Sequence, residues 1–203
     1  RTQREKRLQH NKWLLERERA PMPELVDEYT DFLKPLVLVA LNTGMRRGEL
    51  FNLQWKDVDL NNALLTVEGE VSGSKSETTR HIPLSNEALR VLQAWKIQAP
   101  KNDIVFPSPK SGGRLDNIKT SWGNLIRDSK ITAFRFHDLR HTFASNLVMG
   151  GVDLNTLREL LGHKTIEMTL RYAHLAPEHK AAAVAVLNAR SQPSLLAANR
   201  AIL

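Results

Sequence analysis

The chain has 203 residues, 41% of them hydrophobic, which is enough for one sizeable core, and 29 Lys and Arg against 22 Asp and Glu leave a net charge of +7. That balance, with an isoelectric point near 9.9, favours a polyanionic partner such as nucleic acid. The absence of cysteine excludes disulfides and thiolate metal sites and fits a reducing, cytoplasmic setting, while the longest nearly apolar run, Pro35 to Leu41, is too short for a membrane span.

Residues 1–20 carry seven basic and three acidic side chains and read as a basic interdomain linker or leading helix, broken by Pro21 and Pro23. The segment lacks the apolar core of a signal peptide and begins at Arg rather than Met, so further residues are expected upstream. The main domain is expected over 21–190, followed by a tail over 191–203. Pro35 to Leu41 shows no polar face, as in a buried helix, and Thr43-Gly44 ends it; a short helix follows from near Met45.

Leu64 to Val71 and Thr78 to Leu84 contain partly alternating, β-favouring residues around a turn-like SGSKSE, which predicts a β-hairpin with Lys75 at its tip. Helical periodicity marks Ser85 to Trp95, Ile118 to Ile126, Asp138 to Val148, Leu154 to Leu161 and Lys180 to Leu187. The expected class is therefore α+β, mainly helical, with a small antiparallel sheet.

The stretch from Phe136 to His174 gathers four histidines, three arginines and one tyrosine. A tyrosine hydroxyl can serve as a nucleophile, and Arg and His supply the charge and donors that phosphoryl transfer needs. Periodicity puts His137, Arg140, His141 and Ala144 on one helix face and Leu139, Phe143 and Leu147 on another, so the helix should show a polar and an apolar side. Alone, that pattern equally describes a surface helix.

The following helix turns Leu154, Leu157, Leu160 and Leu161 to the core and ends at Gly162, a left-handed cap that leaves His163 displayed just beyond it. Thr165 can cap a further helix with a Glu167–Arg171 pair, and Tyr172 follows His163 by nine residues. By itself Tyr172 reads as a half-buried packing residue. In TGMRRGEL, Glu49 stands three residues after Arg46 and can hold its guanidinium for a phosphate; Arg47 points elsewhere. As an isolated surface pair it contributes only about 0.3–0.5 kcal/mol.

Taken together, TGMRRGEL, a hairpin with Lys75, then HDLRH, LGH and RYAH resemble the catalytic domain of the tyrosine recombinases, the phage integrase family. The resemblance implies the fold of that domain. It makes Arg46 and Arg140 the phosphate clamp, Lys75 the general acid and Tyr172 the nucleophile. His163 becomes a donor to a non-bridging oxygen, His137 an aid to proton removal from Tyr172 or to phosphate orientation, and Glu49 a support.

The implied activity is site-specific DNA recombination through a 3′-phosphotyrosyl intermediate, without ATP, metal or other cofactor. The implied partners are double-stranded DNA and further copies of the chain, as a tetramer on DNA. The family usually adds an N-terminal core-binding domain, which residues 1–20 cannot supply, so weak, salt-sensitive DNA binding is expected. The segment Lys180 to Leu187 could pack in cis or dock on a neighbouring protomer.

Three other readings compete. His137, His141 and His163 could bind a metal as in H-E-x-x-H hydrolases, but Asp138 replaces the Glu and Arg46, Lys75 and Tyr172 are left without a purpose. A non-catalytic DNA-binding domain explains the charge but not Tyr172. A type IB topoisomerase would use similar residues to relax supercoils.

Overall fold

The computed structural model describes residues 3–21, 29, 31–69, 79–99, 101–176 and 184. The tip of the expected hairpin, with Lys75, lies outside these residues, as does nearly all of the expected helix at 180–187. The basic leading segment forms helix α1 (Gln3–Leu15). Helix α2 (Leu33–Thr43) buries Leu36, Val39 and Ala40, as its unbroken apolar sequence requires. They pack in one cluster with Val91, Leu92 and Trp95 of α4 (Asn86–Gln98), whose N-terminus is capped by Ser85 Oγ accepting from the Ala88 N–H at 3.2 Å.

Between them α3 (Arg47–Asn52) leads into a three-stranded antiparallel sheet of order β1-β2-β3. Strands β2 (Leu64–Val67) and β3 (Arg80–Pro83) are the two arms of the expected hairpin, while β1 (Val58–Asp59) is an addition that two residues of sequence could not signal. The register sets Leu65 against Ile82 and Val67 against Arg80. Leu65, Val67 and Ile82 are buried, so strand alternation turns Arg80 inward as well.

Helix α5 (Lys119–Asp128) rests on the larger core through Trp122, which packs on Phe134 and Phe136. Helix α6 (Asp138–Met149) joins the two halves: Leu139 belongs to the larger cluster, whereas Phe143, Ala144 and Val148 form a second one with Leu157, Leu161 and Tyr172. The expected division of α6 into a polar and an apolar side does not hold. Arg140 is 4% exposed and Ala144 fully buried, because α2 and α7 (Leu154–Leu161) enclose that side too.

Gly44 ends α2 with φ 62°, and a Cβ there would collide with the Phe143 ring. Gly44→Ala combines left-handed strain with overpacking at the junction of the two clusters. It is expected to lower stability by roughly 2–4 kcal/mol, read from denaturant midpoints at constant m-value.

Candidate active site

Helix α7 ends at Gly162, whose φ of 63° is the left-handed cap expected there. The last carbonyls of a helix lack intrahelical partners and carry its negative dipole end. Three successive ones each accept from a different arginine: Arg80 Nε donates to Leu160 O at 3.0 Å, Arg140 Nη2 to Leu161 O at 2.6 Å, and Arg46 Nη2 to Gly162 O at 3.0 Å. Residues from β3, α6 and the N-cap of α3 thus meet at one helix end.

Glu49 organises the cationic side of this cluster. Its carboxylate accepts from the Arg46 backbone N–H at 2.7 Å and from Arg46 Nη1 at 2.9 Å, the pairing expected from the i, i+3 spacing. It also accepts two bonds from Arg80, at 3.1 and 2.6 Å. Burial raises the Glu49 pKa, but the Arg80 hydrogen bond and charge, with those of Arg46, outweigh it and leave the carboxyl below its ordinary value. A pair that would be a weak surface contact is therefore one arm of an Arg–Glu–Arg cluster.

Arg140 has its second anchor at Gly44, where Nη1 donates to the carbonyl at 2.7 Å. A guanidinium has five N–H donors, so two backbone bonds still leave donors for an anion. Desolvation, aided by the Arg46 charge, pushes its pKa down to about 9, and it remains a cation at neutral pH.

His163 is 9% exposed, not displayed as its place after a helix end suggested, because the turn at Gly162 folds it back under α8 (Glu167–Leu170). Its Nδ1 lies 2.9 Å from Thr169 Oγ1. Burial and the charges of Arg140, Arg46, Arg171 and Arg80 push its pKa down to about 4. Thr165 does not cap α8, whose N-cap is Ile166 without a side-chain bond, and Glu167 and Arg171 form no ion pair among the described residues; α8 is a single turn.

Tyr172 follows α8, is 5% exposed and packs in the second cluster, so it is more buried than a half-exposed packing residue. Its hydroxyl lies 2.6 Å from His141 Nδ1. Desolvation raises the Tyr172 pKa against the opposing pull of Arg140 and Arg171, so the resting group is the neutral phenol. His141 and His137 have lowered pKa values, chiefly from desolvation, and their rings meet edge to face at 4.9 Å. His137 itself is exposed at the start of α6.

Among the described residues no group of three or more His, Cys, Asp or Glu side chains could hold a metal ion. Asp138, the carboxylate of the metal reading, accepts from the Arg135 backbone at 2.7 Å and from Arg135 Nη2 at 3.1 Å.

The model of the phage integrase family matches residues 22–179. The chain belongs to that family. It is 38% identical over 167 residues to the integrase of Salmonella phage P22, covering 76% of this chain and 42% of the relative. It is 34% identical over 157 residues to the tyrosine recombinase XerC of Proteus mirabilis, covering 73% and 49%. The catalytic domain of bacteriophage HP1 integrase superposes with a TM-score of 0.56 at 33% identity, covering 74% of this chain and 79% of that one. The chain spans about half the length, or less, of these curated relatives.

Within this integrase-family domain, Arg46, Glu49, Arg140 and His163 converge at the α7 terminus, with Tyr172 one short helix further on. Sequence reasoning missed Arg80, the contact of His141 with Tyr172, and Thr169 as partner of His163. Arg80 had a usable signal: it alternates with the inward Ile82, and a charge at an inward strand position needs a counter-charge. The other two depend on the turn at Gly162 and carried none.

The depressed His163 pKa has a definite sign. Between its ordinary value of 6.5 and about 4, the unfolded chain binds a proton that the folded chain does not, so stability falls as pH drops through this window. Partial solvent screening of the ring reduces the loss attributable to His163 to about 1–2 kcal/mol. Denaturation across this range should be steeper in pH for the native chain than for His163→Gln.

Proposed function

We propose that this chain is the catalytic domain of a site-specific DNA recombinase that cleaves and rejoins double-stranded DNA through a 3′-phosphotyrosyl intermediate. The observation that carries the reading is the meeting of Arg46, Arg140 and His163 at the α7 end, beside a buried tyrosine bonded to a neutral histidine. Arg46 and Arg140 bind the non-bridging oxygens of the scissile phosphate through N–H donors not used by the protein, balancing charge without a metal ion. His163 donates to one of those oxygens.

Tyr172 Oη attacks phosphorus in line and the bond to the 5′ oxygen breaks. His141, 2.6 Å from the phenol, accepts the Tyr172 proton, and His137 beside it contributes to that relay or orients the phosphate. Lys75, from the hairpin, protonates the departing 5′ oxygen. The new ester conserves the bond energy, so attack by another 5′-hydroxyl reverses the step without ATP. Residues 21–190 form this catalytic domain, and exchange between two duplexes calls for several copies, as a tetramer on DNA.

The net charge of +7 supports the DNA partner, and the names of the curated relatives support recombination. Among the described residues no helix is long and apolar enough to cross a membrane. The test is to incubate the chain with candidate duplexes in excess EDTA and isolate a denaturant-resistant protein–DNA adduct. Its absence on every candidate duplex would refute the reading; relaxation of any plasmid, without exchange between defined sites, would favour a topoisomerase.

The role of Lys75 has its own test. Lys75→Ala is expected to slow cleavage by about 10²–10⁴-fold on ordinary DNA and to recover on a 5′-bridging phosphorothiolate, whose leaving group needs no proton. A variant equally slow on both substrates is not missing a general acid.

A further inference from the structure

We propose that Thr169 is a positioning residue for His163, its hydroxyl donating to Nδ1 and so keeping the ring in the tautomer whose proton sits on Nε2. Thr169 is fully buried in α8, and its Oγ1 lies 2.9 Å from His163 Nδ1. A buried hydroxyl hydrogen needs an acceptor. Helical threonines commonly send it to the carbonyl four residues back, as Thr43 does to Val39 at 2.7 Å and Thr142 to Asp138 at 2.9 Å.

Thr169 has no such outlet. Residue 165 precedes α8, and among the described residues the only hydrogen-bond partner of the Thr169 hydroxyl is His163 Nδ1. The hydroxyl hydrogen therefore points at that nitrogen, which must be unprotonated, and a neutral imidazole then carries its one proton on Nε2. The opposite tautomer would send Nδ1–H into Oγ1 and strand the hydroxyl hydrogen in a closed site.

The tautomer matters because His163 is neutral among four arginines, with its pKa down near 4. A neutral ring with a bare Nε2 is a hydrogen-bond acceptor and repels phosphate oxygens, whereas Nε2–H donates to them. The same segment carries the nucleophile, since the Tyr172 N–H donates to the Thr169 carbonyl at 3.0 Å. The assignment of the tautomer stands on the hydrogen bonding alone; only its effect on cleavage rests on the proposed function.

Nitrogen NMR of the full chain labelled in histidine reads the tautomer directly at neutral pH. The native chain and Thr169→Ser should show His163 protonated on Nε2 and bare on Nδ1. Thr169→Val, close in shape but lacking the hydroxyl, should show a mixed or inverted tautomer. On the duplex that yields the covalent adduct, Thr169→Val should cleave about tenfold more slowly and Thr169→Ser nearly normally, a fraction of the loss expected for removing an oxyanion donor altogether.

A proton on Nδ1 in the native chain, or an unchanged tautomer in Thr169→Val, overturns the proposal whatever the cleavage rates. A shifted tautomer with undiminished cleavage supports the role of Thr169 and counts against His163 as a phosphate donor, so the two failures are separable.

Discussion

Tyr172→Phe is expected to abolish the covalent DNA adduct while leaving DNA affinity within about twofold, because phosphate binding is assigned to Arg46 and Arg140 and the phenol oxygen alone is removed. The ring is 5% exposed in the second cluster, and Phe preserves that packing. What is lost structurally is the bond to the half-buried His141, a cost of about 1 kcal/mol. A drop in stability much larger than this would mean the variant is inactive for the wrong reason.

The chain offers an internal control, since it has two tyrosines. Tyr29 is 4% exposed and packs edge-on to Trp95 in the larger core. Digestion of the adduct formed by the native chain should leave the nucleotide on the peptide containing Tyr172. A label on Tyr29, or an adduct surviving in Tyr172→Phe, removes Tyr172 as the nucleophile.

Local patterns were the part of the fold legible in sequence. The apolar run of α2, the helical period of α4, the two hairpin arms and the glycine ending α7 each depend on a few neighbouring residues. The Arg46–Glu49 contact was legible for the same reason, and its inclusion in a larger cluster was not, because Arg80 arrives from a strand 31 residues away. Periodicity put Arg140 correctly on a face distinct from Phe143, but it cannot say whether solvent or two other helix ends meet that face.

His163 and Tyr172 show the same limit more sharply. A residue after a helix cap is normally exposed, and the left-handed turn at Gly162 reverses the outcome by returning the chain over its own helix end. A Cβ on Gly162 would come 2.9 Å from Arg80 Nη1 and 3.0 Å from its Cδ, so the glycine is needed both for the turn and for the approach of that arginine.

Arg140→Lys is expected to lower cleavage by about two to three orders of magnitude and stability by about 2 kcal/mol, although the formal charge is kept. Arg140 Nη1 and Nη2 tie the carbonyl of Gly44, after α2, to that of Leu161, ending α7, at 2.7 and 2.6 Å. A single ammonium cannot span both carbonyls and still present two donors to a phosphate. The site that pushes the guanidinium down to about 9 does so mainly by desolvation, which acts equally on an ammonium starting from a lower ordinary value. The lysine thus loses its proton as pH rises through a range in which the arginine keeps it, and the ratio of variant to native cleavage should fall from mildly acidic to alkaline pH. Arg47→Lys supplies the contrast: Arg47 is exposed, 6.0 Å from the Phe51 ring centroid, and its replacement should leave cleavage unchanged. Equal, pH-independent losses in both variants would reduce Arg140 to one more positive charge and remove the argument that its fork geometry matters.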